Sequence, residues 1–153
     1  MTETVRVLVT GSRTWDDVDY LEKVFSAWDA KIGSNVRKVL VSGNCPSGAD
    51  MLAEKAVEKL GWELELYPAD WDKHGRRAGF VRNSEMVESS PDFVVAFIKD
   101  NSKGASMTAR LARKNELPVE EHSVETGKPV NVSKSGFPKS SPANIWDTPS
   151  TLW

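Results

Sequence analysis

The stretch "VRVLVTGSRTWDD", residues 5–17, decides the fold. Its first six residues are a β-branched run, the mark of a strand buried on both faces of a parallel sheet. Gly11 stops the run, and "GSRTWDD" (11–17) reads as a polar loop. Asp16 or Asp17 then caps a helix reaching about Ala30, with Leu21, Val24, Phe25 and Trp28 at helical spacing. Strand, glycine-bearing loop and capped helix follow one another within thirty residues.

The same unit recurs downstream. "RKVLVSG" (37–43) is a second buried strand and "NCPSGAD" its loop. A helix over 49–60 uses Ala49, Leu52, Ala53, Ala56, Val57 and Leu60, and Gly61 ends it. "WELELYP" (62–68) is a third strand, residues 78–90 a helix broken by Pro91, and "DFVVAFI" (92–98) a fourth strand. "KDNSKGAS" is a loop, 105–115 a helix and "LPVEEH" (117–122) a short last strand. This alternation predicts a three-layer, Rossmann-like α/β fold, with a mostly parallel sheet and helices on both faces. It places one domain at 1–123 and a Pro/Ser-rich C-terminal tail at 124–153. The composition of the tail suits disorder. Its apolar Phe137, Ile145, Trp146, Leu152 and Trp153 instead suit a segment that wraps the domain or a partner subunit.

A chain of 153 residues suits one domain, and 39% apolar with 27% charged residues is ordinary for a soluble protein. No apolar run approaches the ~20 residues of a membrane helix, and the N-terminus does not read as a secretory signal. Cys45 alone excludes an internal disulfide framework and fits a reducing cytoplasm. Two His and one Cys, far apart, argue against a structural zinc, and no cofactor is expected. A pI near 5.7 argues against coating nucleic acid over a whole surface. Positive charge is nevertheless concentrated locally: Lys73, His74, Arg76, Arg77 and Arg82 occur with no acid between Lys73 and Ser84.

In open α/β sheets, ligands bind beyond the carboxyl ends of the strands. Four loops meet that description. In the first, Gly11 permits close approach, Ser12 offers a hydroxyl and Arg13 a forked donor. In the second, Gly43 and Gly48 precede a helix whose free amides favour an anion. Asp50 there either caps that helix or bonds a ribose hydroxyl; neither the Walker A nor the dinucleotide glycine spacing is present. In the third, Arg82 lies in the first turns of a helix, sharing a face with Glu85, Met86 and Ser89, and suits a phosphate. In the fourth, Gly104, flanked by Ser102 and Ser106, leads into a helix N-terminus.

The segments "VTGSRTWDD", "VSGNCPSGADMLAEKAV", "ADWDKHGRRAGFVRNSEMV" and "PDFVVAFIKDNSKGASMTARLARKNELPV" together resemble the YspA/YpsA-related branch of the SLOG superfamily. That superfamily also holds the cytokinin-activating phosphoribohydrolases and DprA. The resemblance spans roughly residues 5–121 and points to a phage or actinobacterial source. It implies that residues 1–123 form a Rossmann-like nucleotide-binding domain, with a ligand set of Gly11, Ser12, Arg13, Gly43, Gly48, Asp50, Arg82, Asn83, Met86, Gly104, Ala105 and Ser106, and phosphate on the 104–106 amides. It also implies a homodimer. The loop departs from the phosphoribohydrolase pattern: Ser102 and Lys103 replace its glycine pair, Ala105 its Thr, and Thr108 stands where those enzymes carry the glutamate that serves glycosidic cleavage, and a Thr cannot act as a general base. Glu85 is the remaining acid in reach. The leading expectation is binding of a phosphorylated nucleotide or nucleotide-derived small molecule, as sensor, carrier or sponge. The alternative is N-glycosidic hydrolysis by Glu85 or Asp50. A third reading, single-stranded nucleic acid stacking on Trp15 and Trp71, is opposed by the acidic pI.

Overall fold

The computed structural model describes residues 3–137. The strands are β1 (Glu3–Gly11), β2 (Val36–Ser42), β3 (Glu63–Leu66), β4 (Phe93–Lys99), β5 (Val119–Val124) and β6 (Asn131–Ser135). The helices are α1 (Val18–Ile32), α2 (Ala49–Lys59), the single-turn α3 (Trp71–His74), α4 (Ala78–Glu88) and α5 (Lys103–Lys114). The six strands form one sheet in the order β3-β2-β1-β4-β5-β6. Neighbours pair in parallel except β5 and β6, which are antiparallel. This is a Rossmann-like α/β fold. Its strand order reverses between β1 and β4, which opens a crevice at their carboxyl ends.

Two hydrophobic layers hold the sheet. On one face Val7, Val9, Leu40, Val95 and Phe97 meet Leu21, Val24, Phe25 and Trp28 of α1 and Ala53 and Val57 of α2. On the other, Leu8, Val41, Val94, Ala96 and Ile98 meet Met86 and Val87 of α4 and Ala105, Ala109 and Ala112 of α5. Burial on both faces is why β1 and β4 read as apolar runs. Arg6 interrupts the first run, and its guanidinium is absorbed by Glu65, the Ser89 carbonyl (2.9 Å) and the Ser89 hydroxyl (3.0 Å). Asp17 caps α1, its carboxylate accepting from the Tyr20 amide at 3.1 Å. No helix among the described residues is long and apolar enough to cross a membrane.

The structure differs from the sequence expectation in two places. Residues 71–77, read as loop, form α3 and a 3-10 turn over Gly75–Arg77, with Asp70 capping α3 through the Lys73 amide at 3.0 Å. The sheet also continues past residue 123, because β6 adds to it from the segment read as tail. Val132 pairs with His122 and Lys134 with Glu120 in that register. Phe137 then stacks on Phe93 with ring centres 5.8 Å apart and lies 6.2 Å from Trp28. Short, polar β6 carries too little apolar signal to be read as a strand. Of the apolar tail residues named above, Ile145, Trp146, Leu152 and Trp153 lie outside the described residues.

Candidate functional site

A cavity of about 720 Å³ opens at the β1/β4 crevice, walled by the loops after those strands and by α4 and α5. That is within the ~300–1,000 Å³ range of small-molecule sites. Gly11, Ser12, Arg13, Asp50, Arg82, Asn83, Met86, Gly104 and Ala105 line it. Gly43, Gly48 and Ser106 do not.

The glycines act by letting backbones approach. A Cβ on Gly11 would lie 2.3 Å from the Ala49 Cβ and 2.8 Å from the Phe97 carbonyl oxygen. Gly48 has φ 71 and ψ −147, a conformation essentially confined to glycine. Its Cβ would sit 2.3 Å from the Ser12 carbonyl oxygen. That carbonyl accepts the Ala49 amide at 3.1 Å and the Trp15 amide at 3.2 Å, so the first two loops are locked together. Gly43 makes room for the Arg82 guanidinium, whose Nη1 would be 2.6 Å from a Cβ there. Gly104 has open space, with nothing within 4 Å of an added Cβ.

Several polar side chains read as ligand donors are turned to structural partners. The Ser12 hydroxyl accepts the Lys99 amide at 2.8 Å, stitching β1 to β4. Arg82 is buried, its Nη1 donating to the Gly43 carbonyl, Nε to Asn83 Oδ1 at 2.7 Å and Nη2 to Cys45 Sγ at 3.7 Å. Asp50 does not cap α2: Gly48 is the N-cap, with no side-chain cap bond. The Asp50 carboxylate instead accepts the Cys45 amide at 3.3 Å across the loop. The Ser106 amide donates to the Ser102 carbonyl at 3.0 Å, so the helix-terminal amides without an intrahelical acceptor are those of Lys103, Gly104 and Ala105, not 104–106. Arg13 is exposed at the cavity wall and makes no hydrogen bond or ion pair among the described residues.

Acids are few here. Glu85 is exposed and outside the cavity, which corrects its proposed place beside the ligand, while Thr108 is buried and donates to the Gly104 carbonyl at 3.0 Å. Two carboxylates line the cavity, those of Asp50 and Asp100. Asp100 is held by the Thr126 amide and hydroxyl, both at 2.8 Å, and these bonds keep its carboxyl below the ordinary range. Burial pushes the Asp50 carboxyl above it, against the opposing pull of the Cys45 amide, Arg82 and Arg13. An aspartate whose folded pKa is raised adds stability fully below the unfolded value of ~3.9, and loses it as pH rises through the folded value. Asp50→Asn should therefore gain stability relative to the parent as pH rises from about 4 through the raised folded pKa of Asp50. Melting temperatures of both proteins across that range check this, and parallel curves throughout would contradict it.

The basic run contributes less than expected. Arg76 and Arg77 are exposed in the 3-10 turn and do not line the cavity. Trp15 is only 3% exposed, packed against Phe97 at 5.2 Å, which removes it as a stacking surface; Trp71 is 53% exposed. The sequence reading missed Cys45, Lys99, Phe80 and Met107 as lining residues. For the last two a signal existed: Phe80 lies three residues before Asn83 on α4, and Met107 three residues after Gly104 on α5, both at one-face spacing.

Fold and cavity together define a Rossmann-like protein with a small-molecule-sized crevice at its topological switch point. The sequence matches the model of the "YspA, cpYpsA-related SLOG family" over residues 5–74, which takes in the first two loops. Gene 61 protein of Mycobacterium phage D29 is 37% identical over 123 residues, covering 74% of this chain and 93% of that protein. The chain belongs to the YspA, cpYpsA-related SLOG family. No solved structure matches it.

Proposed function

We propose that this protein binds a phosphorylated nucleotide or nucleotide-derived small molecule in the β1/β4 cavity. The observation that carries the reading is one arrangement: Gly104 and Ala105, whose first-turn amides in α5 have no intrahelical acceptor, line the cavity together with Arg13, which is unpaired among the described residues. Helix-terminal amides and a guanidinium are complementary to phosphate. Arg82 supports the site by holding the second loop through the Gly43 carbonyl. Membership of the SLOG family favours a small ligand over a polymer, and the burial of Trp15 points the same way.

Titration calorimetry with nucleoside mono- and diphosphates tests this. Arg13→Ala should weaken binding by at least roughly tenfold, the worth of one charge-assisted phosphate contact. A parent protein that binds none of them, or an unchanged affinity in the variant, would refute the reading. A hydrolytic function rests on Asp50 alone, because a buried carboxyl with a raised pKa suits a general acid. Release of free base from a bound nucleotide, abolished in Asp50→Asn, is its signature.

A further inference from the structure

The lining of the cavity is chemically mixed: Arg13 and Lys99 border it from the segments at the ends of β1 and β4, and Phe80 and Met107 border it from α4 and α5. Both of these side chains are left in water, Phe80 at 49% and Met107 at 44% exposure. Large hydrophobic side chains this exposed are few among the described residues, and here one from each wall helix lines the same cavity. Neither exposure is required by the fold, since α4 and α5 already bury Met86, Val87, Ala105, Ala109 and Ala112 against the sheet. Asn83, three residues after Phe80 on α4, lines the same cavity. Its Oδ1 is taken by Arg82 Nε, so its amide N–H2 has no acceptor among the described residues.

An apolar aromatic face, a polarizable thioether and an oriented amide donor suit a flat heteroaromatic ring with an acceptor on its edge. Resting on the phosphate reading above, we propose that Phe80 and Met107 form the subsite for such a ring, with Asn83 donating to its edge. The residues are thus specificity determinants: the cavity selects a phosphate ester that carries a purine-like base, and discriminates against sugar phosphates of similar charge. The phosphate contacts supply charge attraction to both, and the ring subsite supplies the difference.

The test compares adenosine monophosphate, ribose 5-phosphate and inorganic phosphate as calorimetric probes of the parent, Phe80→Ala and Met107→Ala, with mass measured by light scattering. The parent should bind the nucleotide at least about tenfold more tightly than ribose 5-phosphate, the usual worth of one stacked base. Each substitution should shrink that ratio, and the half-exposed positions should leave the melting temperature close to the parent's. A parent that binds ribose 5-phosphate as tightly as the nucleotide overturns the subsite and leaves the phosphate reading standing. A parent that binds none of the three overturns both. A variant that lowers the oligomeric mass at an unchanged affinity ratio shows that these side chains cover a second copy, and also overturns the proposal.

Discussion

Replacing Gly48 by alanine is expected to lower the melting temperature by on the order of 10 °C and to abolish the phosphate-ester binding proposed for the β1/β4 cavity. Two costs combine. The φ of 71 with ψ −147 is strained for any residue with a Cβ, at about 1–3 kcal/mol. The Cβ also collides with backbone: it would lie 2.3 Å from the Ser12 carbonyl oxygen and 2.5 Å from the Arg13 Cα. No rotamer relieves that. The first loop must move, and the Ser12 carbonyl then gives up the Ala49 and Trp15 amides, at about 1 kcal/mol each. Arg13 moves with it. A calorimetric melt reads the first effect and phosphate titration the second. Gly104→Ala is the internal control, because it meets open space early in a helix and should gain up to ~1 kcal/mol. A Gly48→Ala protein melting within about 2 °C of the parent would refute the loop-locking account.

That contrast between two glycines marks the limit of what sequence alone conveyed. Gly11 was legible as a place of close approach, because it directly follows a strand, whereas Gly48 was legible only as a loop glycine ahead of a helix. Gly104 looks the same in sequence, yet in space it abuts nothing. Strands β1, β2 and β4 were legible because burial on both faces leaves a run of apolar residues. Strand β6 was not, since an edge strand that alternates Asn, Val, Ser, Lys and Ser owes its place to partners in β5, and partnership is invisible along a chain.

The polar side chains show this most clearly. Ser12, Arg82 and Asp50, expected at the strand-end loops as ligand contacts, all line the cavity. Their hydrogen bonds go mainly to other loops: Ser12 to Lys99, Arg82 to Gly43, Asp50 to Cys45. A buried polar group must find a partner, but residue type does not say which one. Glu85 failed for a simpler reason. It shares a helical stripe with Arg82 on paper, but that stripe is wide, and its edge at 85 faces water while 82 and 86 are buried.

The second large effect is expected at His122, which no functional argument reached. Its ring is fully buried between Tyr20, whose hydroxyl lies 2.6 Å from Nδ1, and Glu120, whose Oε1 lies 2.7 Å from Nε2. Burial first, and then Glu120, raise the Tyr20 pKa, so that hydroxyl stays protonated and donates to Nδ1. The ring hydrogen then sits on Nε2 and points at Glu120, a tautomer assigned from these bonds. Glu120 is 1% exposed and is also held by Trp28 Nε1 at 3.2 Å and by Lys134 of β6, 3.7 Å away. His122→Leu removes the shortest of these donors and leaves the buried carboxylate to two longer contacts, at an expected cost of about 1–3 kcal/mol. Pairing it with Glu120→Leu should recover part of that loss, because the buried carboxylate that lost its nearest donor is then removed as well. Urea unfolding of the parent, both single variants and the double variant measures the coupling, which should exceed ~1 kcal/mol. Strictly additive losses would show that the two residues act independently. The effect should also reach the cavity. His122 stacks on Phe97 at 5.2 Å, Phe97 packs on Trp15, and the Phe97 carbonyl accepts the Ser12 amide at 2.9 Å. Loosening the ring therefore loosens the base of the loop that carries Arg13, and phosphate affinity should fall in His122→Leu even under conditions where the protein remains folded.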